Sequence, residues 1–296
     1  MAHAAPHAFF RNNDRTMTKT MMQFRTIVDI PRPSFSIQPC EQMLFVGSCF
    51  ADNIGRRFKE EMFRATVNPY GVMYNPASIL HTVQRTDVAP RTAVFTLGTN
   101  HVYILKETGE IVDNCQKRPQ RLFDERDLSV EGCEEYLAQA VDVLRSRRAD
   151  VRVIVTVSPI RYAKYGFHGS QLSKATLLLA ADRLVSRYHG TVTYFPAYEL
   201  VNDELRDYRF YADDMLHPSA LAVEYIWQRM ADTFFSDATR AFLREWAPLK
   251  KGLAHRPLDP DGDDYRAFRS RLHAAIADLA RRYPDMPAEE ALLKTC

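Results

Sequence analysis

The first regular pattern along the chain is Met43–Val46, a short apolar run that stops at Gly47 and predicts a buried parallel strand. Ile54, Phe58 and Met62 then recur every four residues, the spacing of one helix face. Asp52 and Asn53 stand where the positive end of that helix favours them. Residues 64–67 read as a second strand closed by Asn68, Pro69 and Gly71, and 76–84 as a helix opened by Pro76. Residues 93–97 predict a third strand. Val102 to Leu105 continues it or adds another, with a hairpin turn at Glu107–Glu110. Leu137, Val141 and Leu144 give 134–148 a helical period. Residues 151–157 form the most continuous apolar strand, stopped by Ser158 and Pro159. A helix over 173–188, a strand over 191–195 and a helix over 219–235 complete the alternation.

Such a β-α-β-α order predicts a parallel sheet covered by helices on both faces. Sites in sheets of this kind form at the C-terminal ends of the strands. After Ser236 no strand signal remains, so 237–296 is expected to be a helical extension packed on the core domain, 24–236. Pro257, Pro260 and Gly262 interrupt it, and its longest helix is expected over 265–283. Residues 1–23 mix Arg, Asn, Asp and Lys without an apolar core, so they are expected to be disordered and do not read as a secretory signal.

Composition narrows the function classes. Of 296 residues, 39 are basic and 37 acidic, a net charge of +2 that gives no electrostatic case for a nucleic acid or an anionic membrane surface. No apolar run reaches the roughly 18 residues that a membrane span needs. The cysteines Cys40, Cys49, Cys115, Cys133 and Cys296 are scattered, with no CxxC spacing, which predicts reduced thiols, no metal site and a cytoplasmic protein.

Two stretches carry chemistry. At Gly47–Ser48–Cys49 an apolar strand meets a helix, so Ser48 stands beside free helix N-terminal amides that can stabilise an oxyanion, although capping alone also explains a serine there. At Asp213–Asp214–Met215–Leu216–His217 a histidine follows an acid by three residues, close enough for the carboxylate to fix its tautomer. Together they supply nucleophile, base and orienter. Cys49, although intrinsically the better nucleophile, is expected to pack beneath the strand.

The order of these stretches is that of the SGNH hydrolases, and the string Gly47-Ser48-Cys49-Phe50-Ala51 resembles the GSCFA branch of that superfamily. The resemblance extends through Asn68–Pro76, Leu97–Thr99, Glu107–Glu110, Asn114–Lys117, Thr156–Arg161, Asp207–Ala212 and His255–Pro257. It implies a three-layer α/β/α flavodoxin-like fold and action on an ester or acyl group. Residue by residue, it implies Ser48 as nucleophile with Asp214 and His217 as the base system. The Ser48 and Gly71 amides would serve as oxyanion donors. A third donor would be Asn100, in the spacing Gly98-Thr99-Asn100, with Thr99 and Asn114 as alternatives. Tyr74, Asn75 and Arg161 are candidates for lining the substrate site. Neither cofactor nor metal is implied. The expected substrate is a small-molecule or carbohydrate acyl ester, acetyl above all. An O-acyltransferase with the same triad, or a binding module without turnover, are the alternatives. Oligomeric state is left open.

Overall fold

The computed structural model describes residues 24–113, 115, 118–259 and 261–288; the segment expected to be disordered lies outside them. Five strands form one parallel sheet: β1 Gln42–Gly47, β2 Arg64–Val67, β3 Thr92–Leu97 and, further along the chain, β7 Arg152–Val157 and β8 Val192–Tyr194. Their spatial order is β2-β1-β3-β7-β8, the flavodoxin-like order in which the topology switches direction between β1 and β3. Helices α1 Cys49–Glu60, α2 Pro76–Arg85, α3 Val130–Arg147, α4 Gly166–Arg187 and, after the short α5 Ala197–Glu199, α6 Ala220–Phe234 cover the sheet. The fold is three-layered α/β/α, as the alternation predicted.

The apolar side chains alternate across the sheet into two cores. Leu44, Val46, Phe95, Val153 and Val155 face α2, α3 and α4, with Leu137 and Leu177. Met43, Phe45, Val94 and Ile154 face α1 and α6, with Phe58, Ile226 and Trp227. All of β3 is buried, which is why its sequence reads as a continuous apolar run.

Four elements depart from the sequence pattern. β4 His101–Leu105 neither extends β3 nor joins the main sheet; with β5 Ile111–Val112 and β6 Phe123–Asp127 it makes a separate antiparallel sheet. β6 escaped prediction because Asp124 to Asp127 are all charged and exposed, leaving Phe123 as its only buried residue. Residues Leu200–Leu205 form a π-helical turn after α5. α4 starts seven residues before the expected boundary because its first turns, Gly166 to Leu172, carry little apolar period.

The C-terminal extension folds as α7 Asp237–Leu253 and α8 Asp263–Arg282. Phe242, Trp246, Leu272, Ile276 and Leu279 pack with Cys40 and Met62. Cys40 precedes β1 and Met62 follows α1, so the extension covers the end of that β-α unit opposite Ser48.

Candidate active site

Gly47 ends β1 with φ +144°, and a Cβ there would come within 2.2 Å of the Thr96 carbonyl oxygen. Only glycine lets β1 and β3 meet so closely before the chain turns into α1. The turn is pinned from the other side by Asn68, whose Oδ1 accepts from the Gly47 amide at 2.9 Å while its Nδ2 donates to Asp52 at 2.6 Å. Ser48 follows as the N-cap of α1, 1 % exposed. Its Oγ accepts from the Phe50 amide at 3.3 Å and shares a 3.1 Å hydrogen bond with Thr96 Oγ1.

The loop before α6 brings in the second half. Tyr211 bridges Pro218, and the Ala212 amide donates to the His217 carbonyl at 2.8 Å, closing a tight loop around Asp214. Met215 takes a left-handed conformation, φ +57°. Asp214 Oδ1 accepts from the Leu216 and His217 amides at 2.8 and 2.9 Å, and Oδ2 meets His217 Nδ1 at 2.6 Å. The two backbone amides, followed by the imidazole, hold the Asp214 carboxyl down at about 2, well below the usual aspartate value. An ionised carboxylate on Nδ1 leaves Nε2 to act on a partner.

Ser48 and His217 line one cavity of about 250 Å³ at the C-terminal end of the sheet, together with Tyr74, Gly98 and Arg161. Cys49 lines it too, its Sγ 3.8 Å from the Tyr74 hydroxyl, contrary to the expectation that it packs beneath the strand. The reversal is local: Ser48 turns inward to cap the helix, which leaves the next side chain facing the cavity. Tyr74 caps this wall, and burial, then its contact with Cys49, pushes its hydroxyl up to about 12.

The other expected site residues have partners of their own. Asn75 is buried, 5 % exposed, and its Oδ1 caps α2 by accepting from the Ser78 amide at 3.0 Å. Asn100 donates its amide to the Leu128 carbonyl at 2.8 Å and lines a separate cavity beside His101 and Asp127. Thr99 Oγ1 is bonded to Ser173 Oγ at 3.1 Å. The Ser48 and Gly71 amides donate to the carbonyls of Thr96 and Asn68, at 3.0 and 2.9 Å. Asn114 lies outside the described residues. Arg161 lines the cavity wall, but its amide donates to Leu216 O at 2.9 Å and its Nη1 to Met215 O at 3.0 Å, so it braces the histidine loop.

Several contributors gave no sequence signal. Thr96 is an interior strand residue, and Asn68 reads only as a turn residue and as part of the family resemblance. Tyr162 and Lys164 reach the cavity from the segment after β7. Among the described residues there is no cluster of three or more His, Cys, Asp or Glu placed to hold a metal, and no helix long and apolar enough to cross a membrane.

The site is thus a Ser and an Asp-held His on one cavity at the open end of a flavodoxin-like sheet. The chain belongs to the GSCFA family: the family model matches residues 42–89 and 88–230. The model of the GSCFA domain protein C-terminal domain matches residues 246–294. No curated protein matches. Among solved structures, the chain is similar to a catalytic mutant of an acetylxylan esterase from Geobacillus stearothermophilus at 13% identity and TM-score 0.43, covering 68% of this chain and 98% of that one. It is also similar to a carbohydrate esterase family 3 protein from Talaromyces cellulolyticus at 12% identity and TM-score 0.37, covering 64% and 95%.

Proposed function

We propose that the protein is a serine-dependent esterase of the SGNH type, cleaving a small acyl ester, acetyl above all, from an alcohol that includes carbohydrate hydroxyls. One observation carries this reading: His217, held by Asp214, lines the same cavity as Ser48. His217 Nε2 removes the Ser48 proton as Oγ bonds to the acyl carbon. The imidazolium, stabilised by Asp214, then protonates the departing alcohol. Water, deprotonated by the same imidazole, releases the acid and restores Ser48.

In the resting arrangement Ser48 Oγ is engaged by Thr96 and the Phe50 amide. Rotation about Cα–Cβ frees it towards the cavity, in keeping with the looser catalytic hydrogen bonds of unliganded enzymes. The developing oxyanion is received at the N-terminus of α1, where backbone amides and the helix dipole favour negative charge.

The test is Ser48→Ala assayed on a chromogenic acetyl ester, with fluorophosphonate labelling of the native protein. Loss of the helix cap alone costs about 1 kcal/mol and leaves the fold standing. Turnover is expected to fall by at least about 10³-fold, since a residual 10³–10⁴-fold rate over water is all that survives loss of a triad member. Full turnover in Ser48→Ala, or a label found on another residue, overturns the reading.

A further inference from the structure

Lys174 is 2 % exposed on the inner face of α4. Lysine is almost never buried without a partner, and among the described residues no charged group offsets its burial. Its Nζ instead donates to the carbonyl oxygens of Gly98 at 2.7 Å and Ser158 at 2.8 Å. Gly98 follows the end of β3 and Ser158 the end of β7. The amine therefore spans two neighbouring strand ends beneath the catalytic cavity.

Each of those carbonyls leads to one half of the site. A Cβ on Gly98 would lie 3.4 Å from Ser48 Cβ, so this glycine forms the wall against which the serine rests. The Gly98 and Thr99 amides both donate to the Tyr74 carbonyl, at 3.0 and 2.8 Å, which carries the tyrosine over the same cavity. On the other side, Ser158 leads through Pro159 and Ile160 to Arg161, which holds the carbonyls of Met215 and Leu216 just before His217.

Lys174 does not act alone. Ser170 and Ser173, four and one residues before it, share its buried face of α4. Ser173 Oγ accepts from the Asn100 amide at 3.0 Å, and Ser170 Oγ accepts from the Tyr162 amide at 3.1 Å. One polar stripe on a single helix thus grips both strand exits in turn.

We propose that Lys174 is a positioning residue of the Ser48 centre: by bridging the Gly98 and Ser158 carbonyls it sets the separation between the wall behind the serine and the segment that steadies the histidine loop. An apolar side chain of equal length would fill the space without bridging the strand ends. It would leave two buried acceptors unmet and the two exits free to part. Burial pushes the ammonium down to about 7, and the groups it bonds are two neutral backbone carbonyls. Such a costly group is retained more readily at a working site than in a plain core.

The inference rests on the esterase reading for its kinetic readout, so it is tested on two readouts. In Lys174→Met, hydrogen exchange by mass spectrometry is expected to rise in peptides spanning 97–100, 158–162 and 212–217, with α7 unchanged. On an acetyl ester, kcat is expected to fall by about 10²-fold, the effect of a roughly 1 Å misplacement, with KM changed less than about threefold. Lys174→Gln, which keeps N–H donors in the pocket, is expected to recover part of both and serves if the methionine variant does not fold. Unchanged exchange at the three segments overturns the proposal whether or not the native protein turns over the ester. Absent turnover in the native protein, with exchange raised as expected, overturns the esterase reading alone.

Discussion

The Arg161 guanidinium donates to the Met215 carbonyl at 3.0 Å, tying the loop of His217 to the chain leaving β7. The Arg161 amide adds a bond to Leu216 O at 2.9 Å, and the guanidinium lies 4.1 Å from the Phe167 ring centroid, with Tyr208 and Tyr211 further out. The planar fork can serve the carbonyl and the ring face together, which a lysine cannot do. Arg161→Lys is therefore expected to keep the fold and lower kcat on an acetyl ester by roughly 10-fold to 10²-fold, the cost of a small misalignment. A KM rise with kcat intact would instead mark Arg161 as a substrate-binding group.

Asp214 is already ionised by its own loop. Two backbone amides and His217 hold its carboxyl at about 2 against an ordinary 3.8. A depressed carboxyl contributes stability that is present above the unfolded value and lost as pH falls through the folded one, here between 3.8 and about 2. Any acid-side loss of turnover above about pH 3 thus belongs to another group. Asp214→Asn is expected to lower kcat by about 10⁴-fold, as loss of the tautomer-fixing acid does in serine proteases, with no recovery at any pH between 4 and 9. Asp213→Asn is expected to be nearly silent; a large loss from Asp213→Asn with Asp214→Asn nearly silent would move the orienting role to Asp213.

How far the sequence disclosed this arrangement varied with the kind of signal. β1, β3 and β7 were legible because their inward residues on both faces are apolar, and the helices because one face repeats. β6 was not, since four charges face solvent along it and its single buried residue, Phe123, sets no period. At the site, Ser48, Asp214 and His217 stood out because short spacings carry triad chemistry. By sequence Asn75 is a candidate for lining the pocket and Asn100 a donor implied by the family resemblance; their side-chain amides meet local backbone needs, an α2 cap and the Leu128 carbonyl. Thr96, Lys174 and the brace through Arg161 act across gaps of tens of residues, and no local pattern records such partners.

The C-terminal helices offer a test of distance from the site. Trp246 is 1 % exposed, packs with Phe242, Ile276 and Met62, and donates its Nε1 proton to Glu60 O at 3.0 Å. Glu60 ends α1 at the far end from Ser48. Trp246→Ala is expected to cost about 3–5 kcal/mol of stability, read as a lowered thermal midpoint. The KM for an acetyl ester should stay unchanged at temperatures where the variant is folded. A changed KM would show that the extension reaches the cavity.

Cys49 gives the sharpest separation of two nucleophiles. Its thiol lines the cavity with Ser48, 3.8 Å from the Tyr74 hydroxyl, while Ser48 Oγ is turned inward. A thiol in that place reports on the cavity whether or not it reacts with substrate. If Ser48 is the nucleophile, Cys49→Ala retains most turnover, within about threefold, because the base pair and the helix terminus are untouched. A bulky maleimide should inhibit the native protein by filling the roughly 250 Å³ space, and fail to inhibit Cys49→Ala. Prior reaction of Ser48 with a fluorophosphonate should slow maleimide labelling of Cys49, since both adducts compete for one cavity. Loss of turnover in Cys49→Ala together with retained turnover in Ser48→Ala would transfer the nucleophile to the thiol; Asp214 and His217 would keep their roles as its base system.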